Sequence, residues 1–181
     1  PDADALVLWT SGTSGEPKGV VLSHRSLLHN AAAKLAAVSQ LQTDRRLVLL
    51  SIAHGYARTC DLGTWLLSGS CLAITRGFEG WKRHAPKYQP TLANMVPSLA
   101  DRILDQSLVP KSLRMIGCGG AAMNEAQFLD WADRDVTVIQ GYGLTEAGPV
   151  IASQSPEDSI PGHVGRIVQG WEHIIRAGRL F

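Results

Sequence analysis

Short apolar runs alternate along the chain with segments that carry apolar residues at helical spacing. Runs that are apolar throughout are typical of strands covered on both faces. They predict β-strands at Ala5–Trp9, Leu47–Ala53, Cys71–Thr75, Leu92–Val96, Leu113–Gly117 and Val136–Gln140. Because strands that alternate with helices form βαβ units, we expect an α/β fold with a mostly parallel sheet flanked by helices.

The segments between the strands carry helix signals. Ser23 can cap a helix, Pro97 suits the first turn of another, and Asn124 with Gln127 forms a weak capping-box signal. Residues 58–68 are apolar on almost every side, which predicts a buried helix. The helix after Ser23 has an apolar stripe formed by Leu27, Leu28, Ala31, Leu35 and Val38.

The pattern changes after residue 152. Residues 153–162 hold two prolines and predict a loop, and strand-like pieces follow at Val164–Val168 and Glu172–Arg176. We therefore expect an α/β core over residues 1–152 and a short β-rich piece, the start of a truncated further subdomain, over residues 153–181.

Length, composition and charge exclude several classes of protein. The chain has 181 residues, and its 45% hydrophobic content indicates a folded domain rather than a disordered one. Lys plus Arg number 17 against 16 for Asp plus Glu, a net charge of +1 without a basic run, so we expect no nucleic-acid partner. No apolar run is long enough to predict a membrane span.

Cysteine and histidine usage indicates the compartment and argues against zinc. The 3 cysteines, Cys60, Cys71 and Cys118, form no C-x-x-C pair, and the histidines form no H-E-x-x-H motif. This predicts reduced thiols in a cytoplasmic protein. Charged residues are only 18% of the chain, which predicts that part of the surface is covered by another segment or chain.

A loop rich in glycine and hydroxyl groups follows the first predicted strand. Residues 10–19 read TSGTSGEPKG. Glycine lets backbone N–H groups wrap an anion, and hydroxyls and a lysine add donors, so the segment predicts polyphosphate binding. It is neither a G-x-x-x-x-G-K-[ST] nor a G-x-G-x-x-G loop; a flexible Gly/Ser loop or hairpin is the alternative. The candidate binding residues are Thr10, Ser11, Gly12, Thr13, Ser14, Gly15 and Lys18.

A second candidate segment, residues 140–148, follows a later predicted strand and reads QGYGLTEAG. Tyr142, Thr145 and Glu146 can supply a stacking face, a phosphate donor and a Mg²⁺ ligand. A simple strand-to-loop turn is the alternative. Parallel sheets bind ligands at the carboxyl ends of their strands, and both segments are predicted to lie there.

Together the segments resemble the AMP-forming adenylate superfamily, which includes acyl-CoA synthetases, peptide-synthetase adenylation domains and luciferases. TSGTSGEPKG followed by VVLSH is similar to the signature loop of that family, and QGYGLTEAG to a later motif. GCGGAA, residues 117–122, resembles the family's adenine-side turn. The matches occur in the family's order up to about Arg166, which implies the core of the large N-terminal domain.

The resemblance implies ATP and Mg²⁺ as cofactors and gives roles to individual residues. Tyr142 would stack on adenine, Thr145 would contact the α-phosphate and Glu146 would hold the Mg²⁺. Lys18, Thr145 and Glu146 are the implied catalytic residues. The other implied nucleotide-binding positions are Gly119, Gly120, Ala121, Ala122, Gly141 and Gly143.

The implied reaction is ATP-dependent activation of a carboxylic acid. The carboxylate attacks the α-phosphate, pyrophosphate leaves, and in the intact enzyme the acyl group passes to CoA or to the phosphopantetheine thiol of a carrier protein. Residues 51–56 occupy the place where acyl- and aryl-CoA ligases carry a P-x-x-H-x-x-G-like stretch, although Ser51 stands where proline is expected.

Amino-acid-activating domains carry Phe-Asp at that place. This stretch holds His54 and no aspartate, and Asp61 comes seven residues later. Because an unpaired ammonium in the pocket would be costly, we expect an acyl or aryl acid without an α-amino group. The expected pocket residues are His54, Tyr56, Asn94, Met95, Val96 and Gly119.

Members of the family are much longer than this chain. No YRTGD-like segment follows, and the last lysine is Lys111. We therefore expect an excised fragment, or a core completed by a second chain, that adenylates poorly or not at all by itself. An amino-acid-activating adenylation domain and a truncated, inactive nucleotide-binding or assembly module are the alternatives. A serine hydrolase would need a G-x-S-x-G turn, which the sequence lacks.

Overall fold

A seven-stranded sheet forms the centre of the computed structural model, which describes residues 2–10, 16–176 and the backbone of 179–180. Its strands are β3 (Arg45–Val48), β4 (Cys71–Ile74), β5 (Leu92–Met95), β6 (Met115–Cys118), β7 (Thr137–Gly143), β8 (Val150–Ser153) and β9 (Arg166–Ile167). Their order is β4-β3-β5-β6-β7-β8-β9. The first five strands of this order pair in parallel, whereas β8 pairs antiparallel with both β7 and β9. This confirms the predicted mostly parallel α/β sheet.

Two antiparallel hairpins lie outside this sheet. One consists of β1 (Asp4–Thr10) and β2 (Lys18–Ser23), the other of β10 (Ile175–Arg176) and β11 (Arg179–Leu180). The prediction of a buried strand at the start of the chain is wrong: Val7 is 50% and Trp9 73% exposed, and Leu8 is buried. The reason is that β1 pairs with β2 instead of entering the sheet, so one face of the hairpin is not covered.

Six α-helices and a π-helical segment surround the sheet. They are α1 (His24–Ala37), α2 (Gly55–Ala57), the π segment (Arg58–Gly63), α3 (Thr64–Ser68), α4 (Gly77–Tyr88), α5 (Pro97–Asp105) and α6 (Glu125–Ala132). Single 3₁₀ turns lie at Thr145–Ala147 and Pro156–Asp158. Within the ranges described, none of the helices has both the length and the apolar character needed to cross a bilayer.

The predicted helix starts are confirmed. The Ser23 side chain accepts a hydrogen bond from Ser26 N, which caps α1, and Pro97 occupies the first turn of α5. At α6 the capping box is complete, because Asn124 accepts from Gln127 N and the Gln127 side chain accepts from Asn124 N. Each cap satisfies N–H groups that have no partner within the helix.

Helices α4, α5 and α6 cover one face of the parallel strands and form the main core. Trp81, Ile103 and Trp131 are fully buried there against Ile116 and Val138 of the sheet. The indole N–H of Trp81 donates to Leu108 O at 2.9 Å. This packing fixes the strands whose carboxyl ends carry the candidate site.

Helix α1 buries Ala31 of the predicted apolar stripe, with Val38 just beyond its end, but it also buries a polar side that was not predicted. Leu28 is 59% exposed, whereas the polar residues Asn30 and Lys34 are buried beside Ala31. The reason is that α1 packs beside β8, a strand that the sequence pattern did not predict. The Asn30 amide donates to Val150 O at 2.7 Å and accepts from Val150 N at 2.9 Å, so the helix satisfies backbone groups of the strand.

The apolar run at residues 47–53 is shorter as a strand than predicted. Strand β3 ends at Val48, and Leu49 remains buried although it lies beyond the strand. Its carbonyl accepts from Gly77 N at 2.9 Å, and His54 N donates to Ser51 O at 3.0 Å. The backbone therefore leaves the ladder early and turns into α2, which places this loop at the carboxyl edge of the sheet.

Burial of Cys118 at the end of β6 predicts a loss of stability in alkali. Burial raises the pKa of this thiol from 9.0 to about 12. Since the unfolded chain ionises first, the stabilising contribution of the neutral thiol falls as the pH rises. The measured quantity is the difference in unfolding free energy between wild type and Cys118→Ala. We expect this difference to fall by about 2 kcal/mol between about pH 8 and about pH 10.5, to the disadvantage of wild type.

Urea denaturation at a series of pH values measures this difference. Cys71→Ala, which removes an exposed thiol, gives the control. A difference for Cys118→Ala that does not change with pH would show that its thiol ionises alike in both states.

Candidate active site

The carboxyl ends of the parallel strands meet at one edge of the sheet, where the loops enclose a cavity of about 610 Å³. A cavity of this size is typical of sites for small molecules. The loops after β3, β5, β6 and β7 contribute to its wall, as expected for a parallel sheet. Its lining includes the predicted residues His54, Tyr56, Val96, Gly119, Gly120, Gly141, Tyr142, Gly143 and Thr145.

The turn after β6 forms one side of the cavity. Gly119 and Gly120 line it, and Gly120 has a φ of +83°, a conformation that glycine adopts without strain. A Cβ at Gly119 would lie 3.0 Å from the Tyr56 ring. Ala121 and Ala122 are exposed in the turn that leads to α6 and are not among the residues described as lining the cavity.

Strand β7 continues past its parallel neighbour and forms the opposite side. A Cβ at Gly143 would lie 1.9 Å from Pro149 O, so only glycine fits against the chain that returns into β8. Tyr142 is 40% exposed, which leaves a ring face open at the cavity. Thr145 lines the cavity, and Glu146 is exposed in the same 3₁₀ turn.

The β1–β2 hairpin approaches the segment that carries Thr145. Thr10 pairs with Lys18 at the end of the hairpin, and β2 contacts the 3₁₀ turn at Thr145–Ala147. Lys18 is exposed there. The predicted phosphate-binding residues 11–15 lie outside the described residues. The two motifs, more than a hundred residues apart in sequence, therefore lie on neighbouring elements.

The loop between β3 and α2 closes the cavity from a third direction. His54 is exposed and precedes α2, and Tyr56 lies inside with its ring against Gly119. Burial raises the pKa of Tyr56 well above its usual value, so its hydroxyl is neutral at physiological pH. The ring thus provides a largely apolar wall with one hydroxyl group.

The residues that line the cavity do not include Asn94 and Met95, two of the predicted pocket residues. Met95 is fully buried in the core formed with the helices. The Asn94 amide donates to Cys60 O at 3.0 Å and to Asp61 Oδ1 at 2.6 Å. The side chains of neighbouring strand residues point to opposite faces of the sheet. Met95 therefore packs into the core, and Asn94 is hydrogen-bonded beneath the cavity.

A buried group of charged residues beneath the cavity was not predicted. Arg46 donates to Asp61 Oδ1 at 2.8 Å, and the two side chains are 4% and 0% exposed. Burial raises the pKa of Asp61, and the Arg46 charge opposes that rise. Lys34 donates to Ser153 Oγ at 2.6 Å and lines the cavity. Arg76 is exposed and also lines the cavity, at its rim. One sequence signal could have indicated that α1 buries polar residues. Asn30 and Lys34 are four positions apart and therefore lie on the same alanine-rich face of the helix.

A comparison with family models decides the family. Residues 1–177 match the model described as AMP-binding enzyme. The chain belongs to the AMP-binding enzyme family. Relatives of this AMP-binding chain include 4-coumarate–CoA ligase-like 9 of Arabidopsis thaliana, 32% identical over 93% of the chain and 32% of that protein. They also include nonribosomal peptide synthetase dtpA of Aspergillus flavus, 33% identical over 93% of the chain and 6% of that protein.

Solved structures of adenylate-forming enzymes share the fold of this AMP-binding chain. O-succinylbenzoate coenzyme A synthetase of Bacillus subtilis, in complex with AMP, superposes with a TM-score of 0.86 at 25% identity, covering 99% of the chain and 38% of that protein. The N-terminal domain of FACL13 from Mycobacterium tuberculosis, in an inhibitor complex, gives 0.83 at 27% identity, covering 93% and 44%. The chain therefore spans roughly a third of the length of such relatives.

Replacement of Gly119 tests the shape of the cavity. In Gly119→Ala the new methyl group would press on the Tyr56 ring, which must move into the cavity by a few tenths of an ångström. We expect about tenfold weaker binding of any ligand that contacts the Tyr56 ring and a loss of unfolding free energy within ~1–2 kcal/mol.

Calorimetric titration with carboxylic acids, the ligand class expected from the sequence, measures the first effect, and urea denaturation measures the second. Ala122→Ser, in the same turn but exposed, is the matched control and should bind like wild type. Unchanged acid binding by Gly119→Ala would place the acid away from Tyr56.

Proposed function

We propose that this chain forms the nucleotide- and acid-binding core of an enzyme that activates a carboxylic acid without an α-amino group by joining it to AMP. One observation carries the proposal: the described residues that line the cavity include two cations, Lys34 and Arg76, and no aspartate or glutamate. An anionic acid is attracted to such a wall, whereas the ammonium of an amino acid would be left without a partner.

The proposed nucleotide position lies between the turn after β6 and the end of β7. Gly119 and Gly120 allow close approach to the backbone, and the open Tyr142 ring offers a stacking face for adenine. The Thr145 hydroxyl is then a donor to the α-phosphate. Lys18 and the loop that precedes it are proposed to hold the β- and γ-phosphates.

The donor set fits a magnesium ion that accompanies ATP. Among the described residues no cluster of three His, Cys, Asp or Glu side chains could hold a metal by itself, and Glu146 is a single exposed carboxylate beside Thr145. Mg²⁺ is commonly held by one or two carboxylates together with substrate phosphates and waters. Bound there, the ion would neutralise phosphate charge; Glu146 is the residue proposed to hold it.

In the proposed reaction a carboxylate oxygen of the acid forms a bond to the α-phosphorus of ATP. The bond from that phosphorus to the bridging oxygen of the β-phosphate breaks, and pyrophosphate leaves with its electron pair. Negative charge grows on the pyrophosphate and on the α-phosphoryl oxygens, where Lys18 and Thr145 can donate hydrogen bonds. A thiol, of CoA or of the phosphopantetheine arm of a carrier protein, then takes the acyl group and releases AMP.

Supporting similarities extend to the acceptor and the compartment. The relatives include coumarate–CoA ligases and peptide synthetases, so both a CoA thiol and a carrier-protein thiol are proposed acceptors. The three cysteines are free thiols, which supports a cytoplasmic protein. The division into a core over residues 1–152 and a further subdomain from residue 153 remains part of the proposal.

An exchange assay tests the proposed function. The full-length protein is incubated with ATP, Mg²⁺, labelled pyrophosphate and each member of a panel of acids, with and without an α-amino group. We expect label to enter ATP with one or more acids that lack the amino group. Exchange with amino acids alone would support the amino-acid-activating alternative, to which the peptide-synthetase relative also points.

Lys18→Ala tests the placement of the triphosphate. Loss of a charge-assisted contact to the β- or γ-phosphate should weaken ATP binding about ten- to a hundredfold and change AMP binding less than about twofold. Calorimetry with the two nucleotides measures both, and Lys111→Ala, an exposed lysine beyond α5, is the control. An equal loss for ATP and AMP would place Lys18 at the α-phosphate instead.

A further inference from the structure

Lys34 is a buried lysine that lines the cavity and is not among the residues proposed to bind the nucleotide. It lies on α1, is 9% exposed, and its ammonium donates to Ser153 Oγ at 2.6 Å. It lines the cavity together with Cys60, Ile139 and Gly141. Ser153 Oγ in turn donates to Gln154 O at 2.8 Å, so this hydroxyl is already engaged on both sides.

No negative charge within the described part of the chain compensates this ammonium. Asp61, the buried carboxylate of the neighbouring π segment, is paired with Arg46 and with Asn94. Burial raises the pKa of the Cys60 thiol to about 11, so that group is neutral. Burial also lowers the pKa of Lys34, with the Arg46 charge adding to the effect.

A buried ammonium with one neutral acceptor is unfavourable unless an anion joins it. An ammonium has three donors, and Ser153 uses one of them in the described structure. The cavity that Lys34 lines also has the Tyr56 ring, the Cys60 thiol and several small or aliphatic side chains in its wall. The missing partner is therefore expected to arrive with the ligand.

The position of Lys34 along the sheet shows which part of the ligand it would meet. Ser153 pairs with Gly141 across β7 and β8, and Thr145 follows four residues later beyond the strand end. At about 3.3 Å per strand residue, Gly143 already lies roughly 7 Å further toward the nucleotide side. Lys34 thus lies deeper in the sheet than the proposed α-phosphate contact.

We propose that the acid substrate carries a second carboxylate, at the end opposite to the one joined to AMP, and that Lys34 binds it. The inference rests on the proposed function and names its substrate class: a dicarboxylic acid whose two ends are separated by an apolar body. The apolar middle of the cavity, with Tyr56, Ile139 and Val150, suits that body.

Calorimetric binding tests the inference without any need for turnover. The full-length protein, with AMP present, is titrated with straight-chain α,ω-dicarboxylic acids from succinic to sebacic acid and with the monocarboxylic acid of equal carbon number. At least one diacid should bind about ten- to a hundredfold more tightly than its monoacid. In Lys34→Met this preference should vanish, whereas Lys82→Met, an exposed lysine of α4, should retain it.

The outcomes separate this inference from the proposed function. Equal or tighter binding of every monoacid by wild type overturns the role of Lys34, as does a diacid preference that survives in Lys34→Met. Thermal melting shows whether that variant folds, and the wild-type comparison decides the matter by itself if it does not. A diacid preference without any acid-dependent exchange would support the Lys34 site and contradict the adenylation reaction.

Discussion

Glu146→Gln is expected to lower acid-dependent turnover about a thousandfold while leaving the fold intact. Glu146 is exposed in the 3₁₀ turn at Thr145–Ala147, so its replacement disturbs no buried contact. A carboxylate next to a triphosphate would repel it unless a cation lies between them. Loss of the charge proposed to hold the metal would remove electrostatic stabilisation worth several kcal/mol in such transfers, and ~4 kcal/mol corresponds to the thousandfold loss.

The same variant changes how ATP binding depends on magnesium. Wild type should bind ATP far more weakly after Mg²⁺ is removed, and Glu146→Gln should show little difference with and without the ion. Glu157→Gln is a matched control, because Glu157 is also an exposed glutamate in a 3₁₀ turn. If wild type binds ATP equally well without Mg²⁺, Glu146 does not act through the metal.

Asp61→Ala is expected to lower the free energy of unfolding by about 3–5 kcal/mol. The substitution leaves the buried Arg46 guanidinium without its carboxylate and removes an acceptor from the Asn94 amide. The ion pair itself adds little net stability, because burial of both charges opposes their attraction. Hence the double variant Arg46→Met with Asp61→Leu should recover most of the loss.

Urea denaturation followed by tryptophan fluorescence measures these effects. The pair of Arg166 with Asp158 gives the control, since it is 3.5 Å long and exposed, and Asp158→Ala should cost less than ~1 kcal/mol. A loss for Asp61→Ala no larger than that of the control would mean that the guanidinium finds water or another partner in the variant.

The sequence allowed the sheet and part of the cavity lining to be predicted, because both depend on local patterns. Apolar runs mark the strands of the parallel sheet, and Tyr142 lies at the end of β7 with Thr145 just beyond it. Since parallel strands end at one edge, local motifs placed on two of them come together without knowledge of the packing. Strand β8 was missed because it begins just after the second motif, where the sequence pattern indicated a turn into a loop.

The buried charged residues beneath the cavity could not be predicted, because their burial depends on contacts between distant residues. Lys34 and Ser153 are separated by 119 positions, and Arg46 and Asp61 belong to different elements. Burial of a lysine or an aspartate runs against residue statistics, so only tertiary structure reveals it. Asn94 was assigned to the wall for the same reason: its partners, Cys60 and Asp61, lie on the π segment beneath the cavity.

Direct detection of the product bond tests the central claim, that this site joins a carboxylic acid to AMP. The full-length protein is mixed with ATP, Mg²⁺ and an acid that supports exchange, without any thiol acceptor, and the quenched mixture is analysed by mass spectrometry. We predict an acyl-adenylate in an amount close to that of the enzyme, with pyrophosphate released in equal amount. Formation of ADP and an acyl phosphate would show attack at the γ-phosphate and would contradict the account.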